Sequence, residues 1–391
     1  MQRKITPWLP VLCITFGAFV FNTSEFVPIG LLSAIAADFA MSVESLGWLL
    51  TIYAWVVAAA SLPLMLLFSN TELKKLMLCV IALFVVSHAL SALSSGFYTL
   101  LVSRIGVALS HALFWSIASP MAVRVAPKGK QSHALSFIIA GSSLALIAGL
   151  PLGRMVGLYL EWRSTFALIG IIALVIGIFF YFLFPLMPSE SKLDSTALPK
   201  LLKNKTFIRI CFLTLTFITA HFCAYTYIEP FLSLVVGAGV GFITFILCLF
   251  GLMGVVAGVL FSRYYDRHKG FFMYFCLCGL FVSLFLLFFI SFSSILVLIL
   301  CAFLGLCIMI FGLVFQSQVI ATAKDSSMIA MSIFSGIYNV GIGGGAALGG
   351  AVSHHLGLAY IGLVGSSIAL FALVFFALKM PFAKVFNRFS K

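Results

Sequence analysis

Apolar residues run along this chain in twelve long blocks separated by short polar loops. The blocks cover residues 8–32, 46–68, 76–93, 100–122, 135–158 and 165–187, then 207–232, 237–261, 271–290, 295–319, 328–352 and 357–380. A helix rises about 1.5 Å per residue, so about 20 apolar residues cross the hydrocarbon core of a bilayer. Each block is close to that length. The blocks are continuous rather than alternating, which excludes membrane β-strands. The pattern predicts an all-α membrane protein with twelve transmembrane helices.

Composition agrees with this. Hydrophobic residues make up 63% of the chain and charged residues 8%, with a mean hydropathy of +1.22. A soluble domain carries roughly 25% charged residues, so lipid must solvate most of this surface. The net charge of +13 is informative through its placement. With the N-terminus inside, 20 of the 23 Lys and Arg fall on the cytoplasmic side; the others are Arg104, Arg154 and Arg163. Basic residues collect on that side of membrane proteins. We expect both termini in the cytoplasm and a multi-pass membrane protein. The basic residues are divided among short loops, which leaves no nucleic-acid surface. Arg3 and Lys4 precede an apolar block longer than a signal-peptide core, with no small-residue cleavage site after it, so this block reads as a retained first span.

Several chemistries find no support. The nine Cys lie in apolar blocks, and the only close pair, Cys276 and Cys278, lacks metal-ligand spacing. No phosphate-binding Gly-Lys-Ser/Thr loop occurs, so ATP is not the driving force. Gly341-x-Gly343-x-x-Ala346 imitates a dinucleotide fingerprint, but it lies inside a span and reads as close helix approach. No nucleophile or paired-acid constellation marks an enzyme. No cofactor is expected.

The longest polar stretch, 188–206, divides the chain into a bundle at 1–187, a cytoplasmic linker and a bundle at 207–391. The halves echo each other. Glu25-Phe26-Val27-Pro28 and Glu229-Pro230 close the first and seventh spans, 204 residues apart (229 − 25). Glu72-Leu73-Lys74-Lys75 and Asp266-Arg267-His268-Lys269 are 194 apart (266 − 72). The fifth and eleventh spans are both rich in Gly. Transporters built from repeats place their substrate site between the repeats at mid-membrane.

Ser262 to Lys269 resembles the Gly-x-x-x-Asp-Arg-x-Gly-Arg loop motif of the major facilitator superfamily, with Ser262 in place of Gly and a degenerate first-half copy at Glu72. Arg104-Ile105-Gly106 resembles the buried-Arg motif of the drug:proton antiporter branch. Gly149-Leu150-Pro151-Leu152-Gly153 resembles its antiporter motif, with Leu150 interrupting the usual Gly-Pro pair. Trp162-Arg163-Ser164-Thr165-Phe166 fits the usual start of span six. Asn22 to Leu32, Tyr225 to Phe231 and Phe334 to Gly343 are similar to bacterial sugar efflux transporters of the SotB type. The resemblance implies the major facilitator fold of two six-helix bundles, a gating loop at Asp266 and Arg267, and export of arabinose-like sugars and thiogalactosides in exchange for protons. A multidrug/proton antiporter on the same fold is the alternative.

A charge within a span costs about 2.5–3.5 kcal/mol by insertion scales and needs a reason. Glu25, Arg104 and Glu229, with His111, are the proton-coupling candidates. Glu25 either carries the proton or bonds a neighbouring helix; Arg104 either partners a carboxylate or is structural. Arg104, His111 and Trp115 share one helix face. His221, Tyr225 and Glu229 follow at i, i+4 and i+8, which predicts one polar stripe. His88 reads as a packing histidine. A sugar site needs aromatic faces and a few fixed hydrogen-bonding groups. The candidates are Asn22, Tyr53, Trp115, His221, Tyr225, Tyr338 and Asn339. The expected partners are a small sugar, protons and the lipid bilayer, and the expected state is a monomer.

Overall fold

The computed structural model describes residues 8–68, 70–128, 130–188, 197–265, 267–323 and 327–379. Its regular elements are all helical. They are α1 (Leu9–Gly30), α2 (Leu32–Asp38), α3 (Val43–Leu67), α4 (Leu73–Ala92), α5 (Phe97–Val125), α6 (Gln131–Leu144), α7 (Leu150–Tyr159) and α8 (Trp162–Leu183). Then come α9 (Ala197–Lys203), α10 (Lys205–Tyr225), α11 (Ile228–Pro230), α12 (Val240–Tyr264), α13 (Lys269–Phe289), α14 (Ser294–Thr322), α15 (Ser327–His355) and α16 (Ile361–Lys379). Among the described residues, twelve spans are long and apolar enough to cross a membrane, one for each predicted block.

The structure departs from the sequence pattern at two helix ends and inside one span, each at a local feature. The sixth apolar block runs to 187, but α8 stops at Leu183 and Phe184 turns extended (ψ 134). Pro185 follows, and the residue before a proline is pushed out of the helical region. The seventh apolar block runs to 232, but α10 stops at Tyr225. Pro230 has no N–H for the Thr226 carbonyl, and its ring crowds that carbonyl. The fifth span contains a π turn, Ala145–Gly149, in which Leu150 N–H reaches back to Ala145 O. Leu150, the residue that interrupts the Gly-Pro pair, follows this turn directly.

The described residues form two compact units. Unit 1 gathers those of Met1–Ala34 and Val56–Leu193; unit 2 gathers those of Ile35–Trp55 and Asp194–Lys391. The N-terminal part of α3 therefore belongs to unit 2. There the Trp55 indole donates to Val340 O at 3.4 Å, and Ser353 Oγ donates to Glu44 Oε1 at 2.6 Å.

Each unit has the same glycine seam. In unit 1, a Cβ at Gly141, Gly149, Gly153 or Gly157 would press on Thr15, Thr23, Val27 or Leu31 of the first span. Each pair is 126 residues apart (141 − 15, 149 − 23, 153 − 27, 157 − 31). In unit 2, Gly341, Gly345 and Gly349 of α15 lie against Leu215, Thr219 and Cys223 of α10, again 126 apart (341 − 215, 345 − 219, 349 − 223). Small residues let backbones approach where no hydrophobic force joins helices. The repeat register here is therefore 200 residues (341 − 141, 215 − 15). It pairs Glu25 with Tyr225 and Glu229 with Ile29, so the Glu–Pro echo at 204 is one helical turn out of register.

Candidate functional site

The charged cluster of unit 1 starts from a proline. Pro28 lies inside α1, and its missing N–H leaves the Ser24 carbonyl, four residues back, without a helical donor. Arg104 of α5 supplies one: Nη2 donates to Ser24 O at 3.0 Å, and Nη1 donates to Ser24 Oγ at 3.2 Å. The guanidinium is buried and lies 5.8 Å from the Phe166 ring centre. Its charge acts on Glu25, the residue after Ser24, and on His88 and His111.

His111 lies two helical turns beyond Arg104 on α5, and its Nε2 is 3.4 Å from Glu25 Oε2. The two side chains are 5% and 13% exposed. Aromatic rings wall the pair. Phe21 stacks between Phe84 and Phe114 at centroid distances of 4.0 and 4.1 Å, and Trp115 lies 6.1 Å from His111. The structure thus gathers Glu25, Arg104, His111 and Trp115, with Asn22 half-buried less than one turn before Glu25.

The profile of the Major Facilitator Superfamily matches residues 14–328. The chain belongs to the Major Facilitator Superfamily. It is a membrane transporter and not an enzyme. The fold is similar to that of a bacterial homologue of the human lysosomal transporter Spinster, captured inward-facing and unoccupied, with a TM-score of 0.72 at 13% identity over 99% of this chain and 98% of the other. The occupied form of that homologue gives 0.73 at 15% identity over 97% of each chain. The human organic anion transporter MFSD10 (TETRAN) gives 0.70 at 14% identity, over 95% of this chain and all of that one (100%).

The facilitator's unit 2 carries an uncharged version of the same place. Glu25 corresponds to Tyr225 by the 200-residue register. The helices α5 and α14 are both 29 residues long, and aligning Phe97 with Ser294 sets Arg104 opposite Cys301 (104 + 197). His221 stacks on Tyr225 at 5.0 Å and 21°. Its Nδ1 is buried without a hydrogen-bond partner, as is Asn339 Oδ1. Asn339 Nδ2 donates to Ser335 O at 3.0 Å.

The predicted stripe is corrected at its far end. His221 and Tyr225 share a face of α10, but Glu229 lies beyond the break on α11. The i+8 relation assumed an unbroken helix. Tyr53 is buried within unit 2, and Tyr338 is half-buried with its ring 6.2 Å from that of Phe334. Arg267 sits in the turn after α12, its N–H donating to Tyr264 O at 3.2 Å; Asp266 lies outside the described residues.

Two further residues take part that carry only a weak signal in the sequence. Ser24 is one small polar residue of the Asn22–Leu32 motif, and its signal is the Pro four positions later, which marks its carbonyl as a free acceptor. Arg154 stands out only as a basic residue off the cytoplasmic side. It is buried on α7 and donates through Nη1 to Gly30 O, at the carbonyl end of α1.

Proposed function

We propose that this transporter exports small neutral solutes, arabinose-like sugars and thiogalactosides, across a bacterial inner membrane in exchange for protons, with both termini in the cytoplasm. One observation carries the reading: a carboxylate, Glu25, lies at ion-pair distance from His111 inside an apolar unit, one residue after the Ser24 that the buried Arg104 bonds. A carboxylate so placed exchanges one proton for one local charge, and Arg104 makes that charge tolerable. The uncharged polar groups at His221, Tyr225 and Asn339 suit hydroxyl-rich solutes.

The driving force suffices. One charge crossing 100 mV is worth about 2.3 kcal/mol, and one pH unit about 1.4 kcal/mol. Together they sustain a gradient of several hundredfold per proton. The test is uptake of radiolabelled arabinose and a thiogalactoside into everted vesicles. Wild type should accumulate both when a proton gradient is imposed. Glu25→Gln should lose accumulation yet keep solute exchange, and Glu229→Gln should retain coupling. Uptake of a cationic dye in preference to either sugar would move the assignment to a multidrug antiporter.

A further inference from the structure

We propose that Ser24 and His88 are positioning residues that hold the Arg104 guanidinium at the residue next to the proton-carrying carboxylate, so that the coupling site comprises Ser24, Glu25, His88, Arg104 and His111. The inference rests on the reading of Glu25 as the proton carrier.

The hydrogen-bond directions are decided by chemistry. His88 Nδ1 lies 2.9 Å from Phe84 O, four residues earlier on α4. A carbonyl can only accept, so Nδ1 carries the hydrogen. In the neutral ring Nε2 then accepts, and the group 2.9 Å from it is Ser24 Oγ. Ser24 therefore spends its one hydroxyl hydrogen on His88. Its oxygen lone pairs are left for Arg104 Nη1 at 3.2 Å. If the hydroxyl hydrogen pointed at the guanidinium instead, two donors would face each other. His88 sets the hydroxyl, the hydroxyl and the adjacent carbonyl take both terminal nitrogens of Arg104, and the next residue is Glu25.

Packing makes the arrangement stiff. Ser24 and His88 are both inaccessible to solvent (0%), and Arg104 is 1% exposed. The His88 ring lies 4.2 Å from Phe84 and 6.2 Å from Phe166, the ring that also faces Arg104. A Cβ at Gly170 would come within 3.0 Å of His88 Cβ, so α8 backs the histidine directly. Removing the hydroxyl leaves Nη1 without this acceptor, which lies 80 residues away in sequence (104 − 24). The guanidinium then turns to other acceptors.

Two measurements on the full-length protein test this. In proteoliposomes, Ser24→Ala should lower gradient-driven sugar uptake by at least about tenfold while counterflow exchange stays within about twofold of wild type. A merely structural role would lower both together. Ser24→Thr, which keeps the hydroxyl, should restore coupling, and His88→Phe should act like Ser24→Ala. The second measurement needs no solute: proton binding to the purified protein, followed with an indicator dye and taken as the difference from Glu25→Gln. Ser24→Ala should displace the midpoint of that difference curve by about one pH unit or more. If Ser24→Ala does not fold, Ser24→Cys, close in shape and a weak donor, takes its place. Equal coupling and an equal midpoint in wild type and Ser24→Ala would overturn the proposal. A wild type that transports without any proton gradient, with no difference from Glu25→Gln, would instead sink the proton-carrier reading on which it rests.

Discussion

Arg104 Nη2 donates at 3.0 Å to the carbonyl of Ser24, the acceptor that Pro28 deprives of its helical donor. A helix-breaking residue in α1 and a cation in α5 thus complete each other. Pro28→Ala supplies the missing N–H and sets backbone and guanidinium in competition for one carbonyl. Alanine is the better helix former by about 3 kcal/mol in water, so the melting temperature should hold or rise. Gradient-driven uptake should nevertheless fall about tenfold. Parallel melting and uptake assays check the divergence; a fall in both would argue against it.

The glycine seam should be steeply selective. A Cβ at Gly345 would lie 2.7 Å from Thr219 O and 2.9 Å from Cys223 N, both backbone atoms that cannot swing aside. Gly345→Ala should destabilise the protein by about 1–3 kcal/mol, as overpacking does. Gly258, with nothing within 4 Å of its Cβ position, is the control and should accept Ala without loss. Thermal unfolding in detergent compares the two.

His221 keeps a buried nitrogen without a hydrogen-bond partner, which costs about 1–3 kcal/mol. Its equivalent in the 200-residue register is Phe21, a packed ring. His221→Phe should therefore raise the melting temperature. If the nitrogen serves a solute, the same change should raise the KM for sugar several-fold with the maximal rate little altered. A variant both less stable and kinetically normal would contradict each half of this expectation.

Glu72 predicts an acid-labile joint. It caps α4 by accepting from Lys74 N–H and Lys75 N–H, and Met187 N–H donates to it at 2.6 Å. Burial pulls the carboxyl up, but the three backbone donors and the Lys74 charge more than offset this and hold it below the ordinary carboxylate range. A carboxyl lowered on folding stabilises the fold above its unfolded pKa of about 4.3. That contribution is lost as pH falls through the lower folded value. Glu72→Ala should cost about 1 kcal/mol at neutral pH, the worth of an N-cap. The gap from wild type should close towards pH 3 in melting experiments, and a gap that widened there would refute the sign.

The twelve spans were legible in the chain because twenty apolar residues have no stable home but oil, and that constraint acts on each segment alone. Glu25, Arg104 and His111 could be picked out for the same reason, since a charge in a span must be explained. What the chain alone did not show were relations between segments. The Glu–Pro echo suggested a register of 204, and only the packing of Gly141 on Thr15 and Gly341 on Leu215 set it at 200. The His221 to Glu229 stripe followed helical arithmetic that Pro230 interrupts. Ser24 looked like one small polar residue among many until α1, α4 and α5 brought Arg104 and His88 to its two sides. Hydropathy acts residue by residue and can be read in one dimension; hydrogen-bond partners 64 and 80 positions apart exist only after the helices have packed.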